Sequence, residues 1–332
     1  MLGSFRMKRV ALTIALTALL AGTAAAQQPT KVRVAYDGFS MTSGPLNYAN
    51  KQGIFKKFGI DVSPVFVEGG STVTTAVVGR SIDIAQNGYT PAVAAAAAGA
   101  DVVIIGGIAN KLPFQLVVRN SITSAAQLKG QAIAISRYGS STDTAVDFAL
   151  AHLKLARNDV KVLQLGGPAT RIAAVMSGQV AATVEQYPDT AELTRHGFHV
   201  LVDVTDIAGE YPNTSYVTSR AYLKSNPEAV KRFLAAMVTA VFEYKDNPAI
   251  AIPLTQKFLH VKDEADAKAA YAAYVKIYPD DLKPSLAGLR LVLDELAKTN
   301  PKAAAMKPEQ FVDTSTLDTL EREGFFRRLR GL

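Results

Sequence analysis

From Lys31 onward, short runs of alternating or β-branched apolar residues take turns with longer stretches whose apolar positions recur every three or four residues. The first pattern sends successive side chains to opposite faces of a strand, and the second gathers them along one side of a helix. Residues 31–36 read as a strand, 45–55 as a helix with proline in its first turn, and 60–67 as a second strand. A helix at 71–78, a strand at 82–85, a helix at 91–98 and a buried strand at 102–108 continue the series. The grammar then restarts, with strands at 114–119, 132–135, 160–164, 181–184 and 200–204. Between them lie a short capped helix at 124–128 and longer ones at 141–155, 169–176 and 188–195. Residues 216–219 read as a last strand, and the remainder is helical: 227–245, 248–259, 265–277, 286–298 and 316–323. Such alternation predicts an α/β fold with parallel strands.

Two α/β units followed by a helical tail predict two lobes. Residues 27–112, joined by the returning 213–332, form lobe one; residues 113–212 form lobe two. The chain is expected to cross between them near 110–115 and 210–216, and no Pro/Ser-rich linker separates the halves. Composition agrees with a folded protein: 332 residues, 48% hydrophobic and 20% charged. The chain has no cysteine, which excludes disulfides, thiolate metal sites, iron–sulfur clusters, a cysteine nucleophile and a lipoprotein anchor.

The N-terminus follows a separate logic. Met7-Lys8-Arg9 precedes an apolar run from Val10 to Leu20 and then Ala24-Ala25-Ala26. A basic start, a short apolar stretch and small residues at the end describe a secretory signal peptide over residues 1–26, cut before Gln27. The run falls short of the roughly 20 apolar residues of a membrane span. Removing it takes away Arg6, Lys8 and Arg9, so a net charge of +7 falls to +4. With no block of basic residues interleaved with aromatics, a nucleic-acid partner is not expected.

Enzyme signatures are missing. No two glycines stand two apart, which excludes the dinucleotide fingerprint, and neither the G-x-S-x-G elbow nor the phosphate-loop motif occurs. His196 and His199 have a spacing that suits a metal on a helix, but Gly197 and the following strand argue against a helix there. No catalytic residue, metal or cofactor is expected.

Two junctions carry the candidate binding chemistry. Gly69-Gly70-Ser71-Thr72 and Gly139-Ser140-Ser141-Thr142 each link a strand to a helix. A helix N-terminus presents unpaired N–H groups and partial positive charge, glycine admits close approach, and a hydroxyl adds a further bond. The alternative is that Ser71 and Ser141 merely cap helices.

At this point the sequence resembles a known family. The segment GPLNYANKQGIFKKF at 44–58 is followed by GIDV, then by EGGSTVTTAVVGRSIDIAQNGYTPAVAAAAAGADV, SAAQLKGQAIAISRYGSSTDTAVDFAL and AAVMSGQVAATVEQYP. In this order they resemble the substrate-binding proteins of nitrate, sulfonate and taurine ABC transporters. The resemblance implies a two-lobed periplasmic binding protein of type II with hinge crossovers. Such a protein is monomeric, closes on a small-molecule ligand and delivers it to an inner-membrane ABC permease. It also implies a pocket lined by Ser40 and Met41, Gly70 and Ser71, Asn87, Tyr89 and Thr90, Ser140, Ser141 and Thr142, and Glu185, Gln186 and Tyr187.

The chain departs from the family in having no tryptophan, with Gln186-Tyr187 before Pro188, and no histidine after G-S-S. Two readings of Glu185 stand: turned inward, it repels a bare anion and favours a ligand with an amine or other donors; turned outward, it is a solvated strand end. A sulfonate or similar oxyanion is the first expected ligand. A related branch binds pyrimidine precursors of thiamine, and a heterocycle or aromatic carboxylate is the alternative, stacked by Tyr89, Tyr138, Tyr187 or Tyr216 unless these pack the lobes. An exported enzyme on the same scaffold is the third reading.

Overall fold

The computed structural model describes residues 28–331; the expected signal peptide over 1–26 and the cut before Gln27 lie outside the described residues. The strands in chain order begin with β1 (Thr30–Val32), β2 (Val34–Tyr36), β3 (Ile60–Val62), β4 (Val65–Phe66), β5 (Ile84–Gly88) and β6 (Val103–Ala109). They continue with β7 (Gln115–Arg119), β8 (Ala132–Ile135), β9 (Lys161–Gln164), β10 (Ala182–Glu185), β11 (Phe198–Asp203) and β12 (Thr214–Thr218). One five-stranded sheet has the order β4-β2-β5-β12-β6 and the other β11-β7-β10-β8-β9, while β1 and β3 pair separately. The chain therefore leaves the first sheet at Ala109, enters the second at Gln115, leaves it at Asp203 and returns to the first at Thr214.

The α/β reading holds, but the strands are not all parallel. β12 runs antiparallel to both β5 and β6, and β7 antiparallel to both β10 and β11. Each odd strand is the first that its sheet receives from the other sheet. No strand–helix–strand unit precedes it, so nothing forces it parallel. Two local breaks also depart from the pattern. The expected strand at 60–67 is split around Pro64, which lacks an N–H for a ladder, so β3 pairs with β1 and β4 with β2. The helix expected at 45–55 spans Gly44–Lys51 and restarts as Ile54–Lys57 after Gly53, whose φ of +67° suits glycine.

Apolar periodicity explains where the tail goes. The helix Pro227–Asp246 buries Val230, Phe233, Leu234, Met237 and Val241 along one face, three or four residues apart. They share a core with Val32 of β1, with Val34 of the first sheet, and with Leu46 and Phe55. The Phe233 ring stacks on Phe55 at 5.8 Å and meets the Tyr216 ring edge-on at 5.4 Å. A second core runs from Ala35 and Ala85 of the first sheet to Leu116, Ile133 and Val184 of the second, so the two sheets share apolar support.

Candidate functional site

The sheets face each other across a cleft where strand ends meet helix N-termini. The helices Gly70–Val78, Ser141–His152, Pro168–Met176 and Asp189–Arg195 all begin there. The cleft holds a partly open cavity of about 80 Å³, room for a few waters or a small polar molecule.

Three glycines let the two sides touch across it. Glu68, after β4, places its carboxylate where a Cβ on Gly166 would stand; Gly166 follows β9 and has φ +86°. A Cβ on Gly69 would lie 2.7 Å from Cγ of Arg137, and one on Gly88 would lie 2.5 Å from the Ser141 hydroxyl oxygen. The C-terminal helices add further ties: the Tyr274 hydroxyl donates to Gln186 Oε1 at 3.1 Å, Asp266 pairs with Arg195, and Lys262 Nζ lies 3.7 Å from Glu192. The lobes are in contact around the cavity. Tyr274→Phe removes one bond from this set, and unfolding in urea should show a loss of about 1 kcal/mol with unchanged secondary structure.

The hydroxyl cluster beside the cavity is bonded largely to itself. Ser140 Oγ donates to the Arg137 carbonyl at 2.7 Å and lies 3.0 Å from Ser136 Oγ and 2.8 Å from Thr142 Oγ1. The Ser136 N–H donates to Thr142 Oγ1 at 2.9 Å.

Charge defines the rest of the lining. Glu185, at the end of β10, is 1% exposed and faces Arg171, which is 4% exposed. Arg171 Nε donates to Glu185 Oε1 at 3.0 Å, Nη2 to Oε2 at 2.6 Å, and Nη1 to the Gly166 carbonyl at 2.6 Å; the Thr183 hydroxyl also donates to Oε1, at 2.7 Å. Burial pushes the Glu185 carboxyl up, against the pull of Arg171 and Thr183 toward ionisation. Asp37 accepts the Gly88 N–H at 3.1 Å, yet burial raises it to about 6. Asp189 accepts no hydrogen bond from the described residues. Burial, then the charge of Glu185, raises it to about 8, opposed by Arg171 and with a smaller push from Glu192.

Of the residues expected at the site, Ser40, Gly70, Ser140, Ser141, Thr142, Glu185, Gln186 and Tyr187 line the cavity. The others lie elsewhere. Met41 turns into the core because a 3-10 helix, Met41–Ser43, begins right after Ser40. Ser71 sits in the helix first turn, outside the lining. Asn87 is buried and donates to Thr74 Oγ1 at 2.5 Å, because β5 runs on to Gly88 where a loop was expected. Tyr89 is buried at the following helix start, and Thr90 shares a 2.9 Å bond with the Tyr211 hydroxyl away from the cavity. Tyr216 lies two positions into β12, under Phe233; the cavity sees Asn213 and Thr214 instead. Glu185 is neither a solvated strand end nor an unanswered charge, since Arg171 grips both its oxygens.

Sequence reasoning missed Asp37, Glu68, Arg171 and Asp189. Three of these flank the expected junctions: Asp37 follows the first strand, Glu68 precedes Gly69-Gly70, and Asp189 follows Pro188. Weighing carboxylates as well as hydroxyls at those junctions would have found them. Among the described residues, no three His, Cys, Asp or Glu side chains gather to hold a metal ion, and no helix is long and apolar enough to cross a membrane.

Two mixed α/β lobes touching over a small polar cavity define the periplasmic binding protein fold. A solved structure from Bordetella bronchiseptica RB50 superposes with a TM-score of 0.80 at 25% identity, over 89% of this chain and 98% of that one. The periplasmic aliphatic sulphonate binding protein SsuA from Escherichia coli gives 0.69 at 24% identity, over 87% and 99%. The chain belongs to the NMT1/THI5-like family, whose model matches residues 41–251. A protein of Escherichia coli strain K12 named as an aliphatic sulfonates-binding protein is 31% identical over 222 residues, 65% of this chain and 68% of its own length.

Proposed function

We propose that this protein is a periplasmic solute receptor of an ABC importer. It takes a small polar molecule between lobe one (27–112 and 213–332) and lobe two (113–212), closes by rotation about the two crossovers, and presents the closed form to an inner-membrane permease. A signal peptide over residues 1–26 brings it there, and it works as a monomer without turnover of its ligand. The observation that carries the reading is the set of contacts across the cleft at Gly69, Gly88 and Gly166 beside a polar cavity. Family membership and relatives named as binding proteins support it.

The test uses mature protein from the periplasm of an expressing host. Native mass spectrometry should find one small molecule per chain. After its removal and return, small-angle scattering should show compaction, and the molecule should be recovered unchanged. Chemical conversion of that molecule, or binding without compaction, would overturn the receptor reading.

A further inference from the structure

The ligand expected from sequence was an oxyanion, yet the charged groups around the cavity favour the opposite sign. Its lining carries four carboxylates, Asp37, Glu68, Glu185 and Asp189, and among the described lining residues Arg171 is the one cation. Arg171 is already committed, to both oxygens of Glu185 and to the Gly166 carbonyl. The Ser140 and Thr142 hydroxyls are bonded to each other and to Ser136, which leaves the Ser141 hydroxyl as the donor at this junction not already engaged among the described residues. A bare sulfonate would therefore meet helix N-termini and the Ser141 hydroxyl but no uncommitted cation within the lining itself, beside several carboxylates.

Of the four, Asp189 is the one beside the ion pair. It faces the cavity beside an ion pair whose charges are matched, and accepts no hydrogen bond from the described residues. Asp37 and Glu68 stand opposite, on loops after β2 and β4, so unpaired acidity comes from both lobes.

We propose that the cleft takes a small ligand carrying a positively charged nitrogen, a primary ammonium or an amidinium, whose N–H groups bridge Asp189 of lobe two to Asp37 and Glu68 of lobe one. The proposal rests on the receptor reading and names its ligand class. It also couples charge to closure. Once these carboxylates are ionised, like charges on the two lobes oppose approach, and a bound cation turns that repulsion into attraction on both sides.

A pH signature separates this ligand from an anion. The groups facing Asp189 are Glu185, Glu192 and Arg171 of lobe two and Tyr274 of the C-terminal helices. With Asp189 raised to about 8 and Asp37 to about 6, the empty cleft holds protons that a cation must displace. Cation affinity therefore rises with pH across this interval, whereas anion affinity falls.

The experiment titrates mature protein, freed of bound molecules by partial unfolding and refolding, with propylamine, benzamidine and propanesulfonate at about pH 6 and about pH 8. At least one of the two cations should bind more tightly at the higher pH, by about tenfold or more. Asp189→Asn should abolish most of that gain without lowering the melting temperature, since it removes a repulsion from Glu185 and keeps the shape. The molecule found by native mass spectrometry should contain a basic nitrogen. A bound molecule lacking one, binding of propanesulfonate alone, or binding of neither cation would overturn the ligand class. Compaction with that molecule would leave the receptor reading standing, and its absence would defeat the receptor reading itself.

Discussion

Replacing Arg171 by methionine should cost about 3–5 kcal/mol of unfolding free energy, because it strands the Glu185 carboxylate in the interior. Glu185 is 1% exposed and would retain only the Thr183 hydroxyl as a charge-stabilising partner, at 2.7 Å. A methionine fills much of the space but offers no N–H. Urea unfolding at neutral pH checks the magnitude, and its pH dependence checks the cause. In the variant, the folded-state pKa of Glu185 rises further above its unfolded value. The folded chain then binds more protons than the unfolded one, and the deficit shrinks as the pH falls through the folded pKa. The double variant Arg171→Met, Glu185→Gln should recover most of the loss, since no buried charge remains. A single variant as stable as the parent would show that water reaches Glu185.

The second large effect is expected on closure. Gly166→Ala places a methyl group where the Glu68 carboxylate lies, at a backbone φ of +86° that L residues rarely adopt. The backbone term should lower stability by about 1–3 kcal/mol. The added methyl also pushes the Glu68 carboxylate, the flexible end of its side chain, out of the seam between the lobes, so ligand affinity should fall by about twofold to tenfold. Glu68→Ala in the same chain removes the obstruction but not the backbone strain. Compaction at saturating ligand, read by scattering, should then match the parent, while the melting temperature and the affinity stay low because Glu68 is also one of the carboxylates proposed to hold the ligand. Failure of the second change to restore compaction would show that Gly166 acts through its backbone alone.

The fold class was legible because strands and helices differ in apolar period. Residues 132–135 and 248–259 carry that signal clearly enough that the strand Ala132–Ile135 and the helix Pro248–Leu259 have the expected bounds. Strand direction was not legible. Nothing in the residues of β7 (QLVVR) or β12 (TSYVT) marks them as antiparallel, and only the path between sheets reverses them. The candidate site was half visible. Glycines and hydroxyls at strand-to-helix junctions announce a helix N-terminus, so Gly70, Ser140 and Ser141 could be found. Arg171 could not, because PATRIAAVM reads as an amphipathic helix with Thr170 and Arg171 as its polar positions, and the sequence pattern does not say that Arg171 faces a cavity. Tyr216 misled for the opposite reason: an aromatic near a strand end suggests a stacking surface, but β12 begins two residues earlier and carries it into the core.

The place of β12 has a consequence for the order in which the molecule can be made. It lies between β5 and β6, and the Ser215 hydroxyl donates to the Asn87 carbonyl across 128 positions of chain. Until residue 218 has emerged, β6 has no partner on that side and β5 presents an open edge. The second sheet, in contrast, draws all five of its strands from the unbroken stretch 115–203. The half that begins the chain is thus the last to finish, held back by the entropy of closing so long a loop. A nascent chain of this topology stays incompletely folded through most of its synthesis.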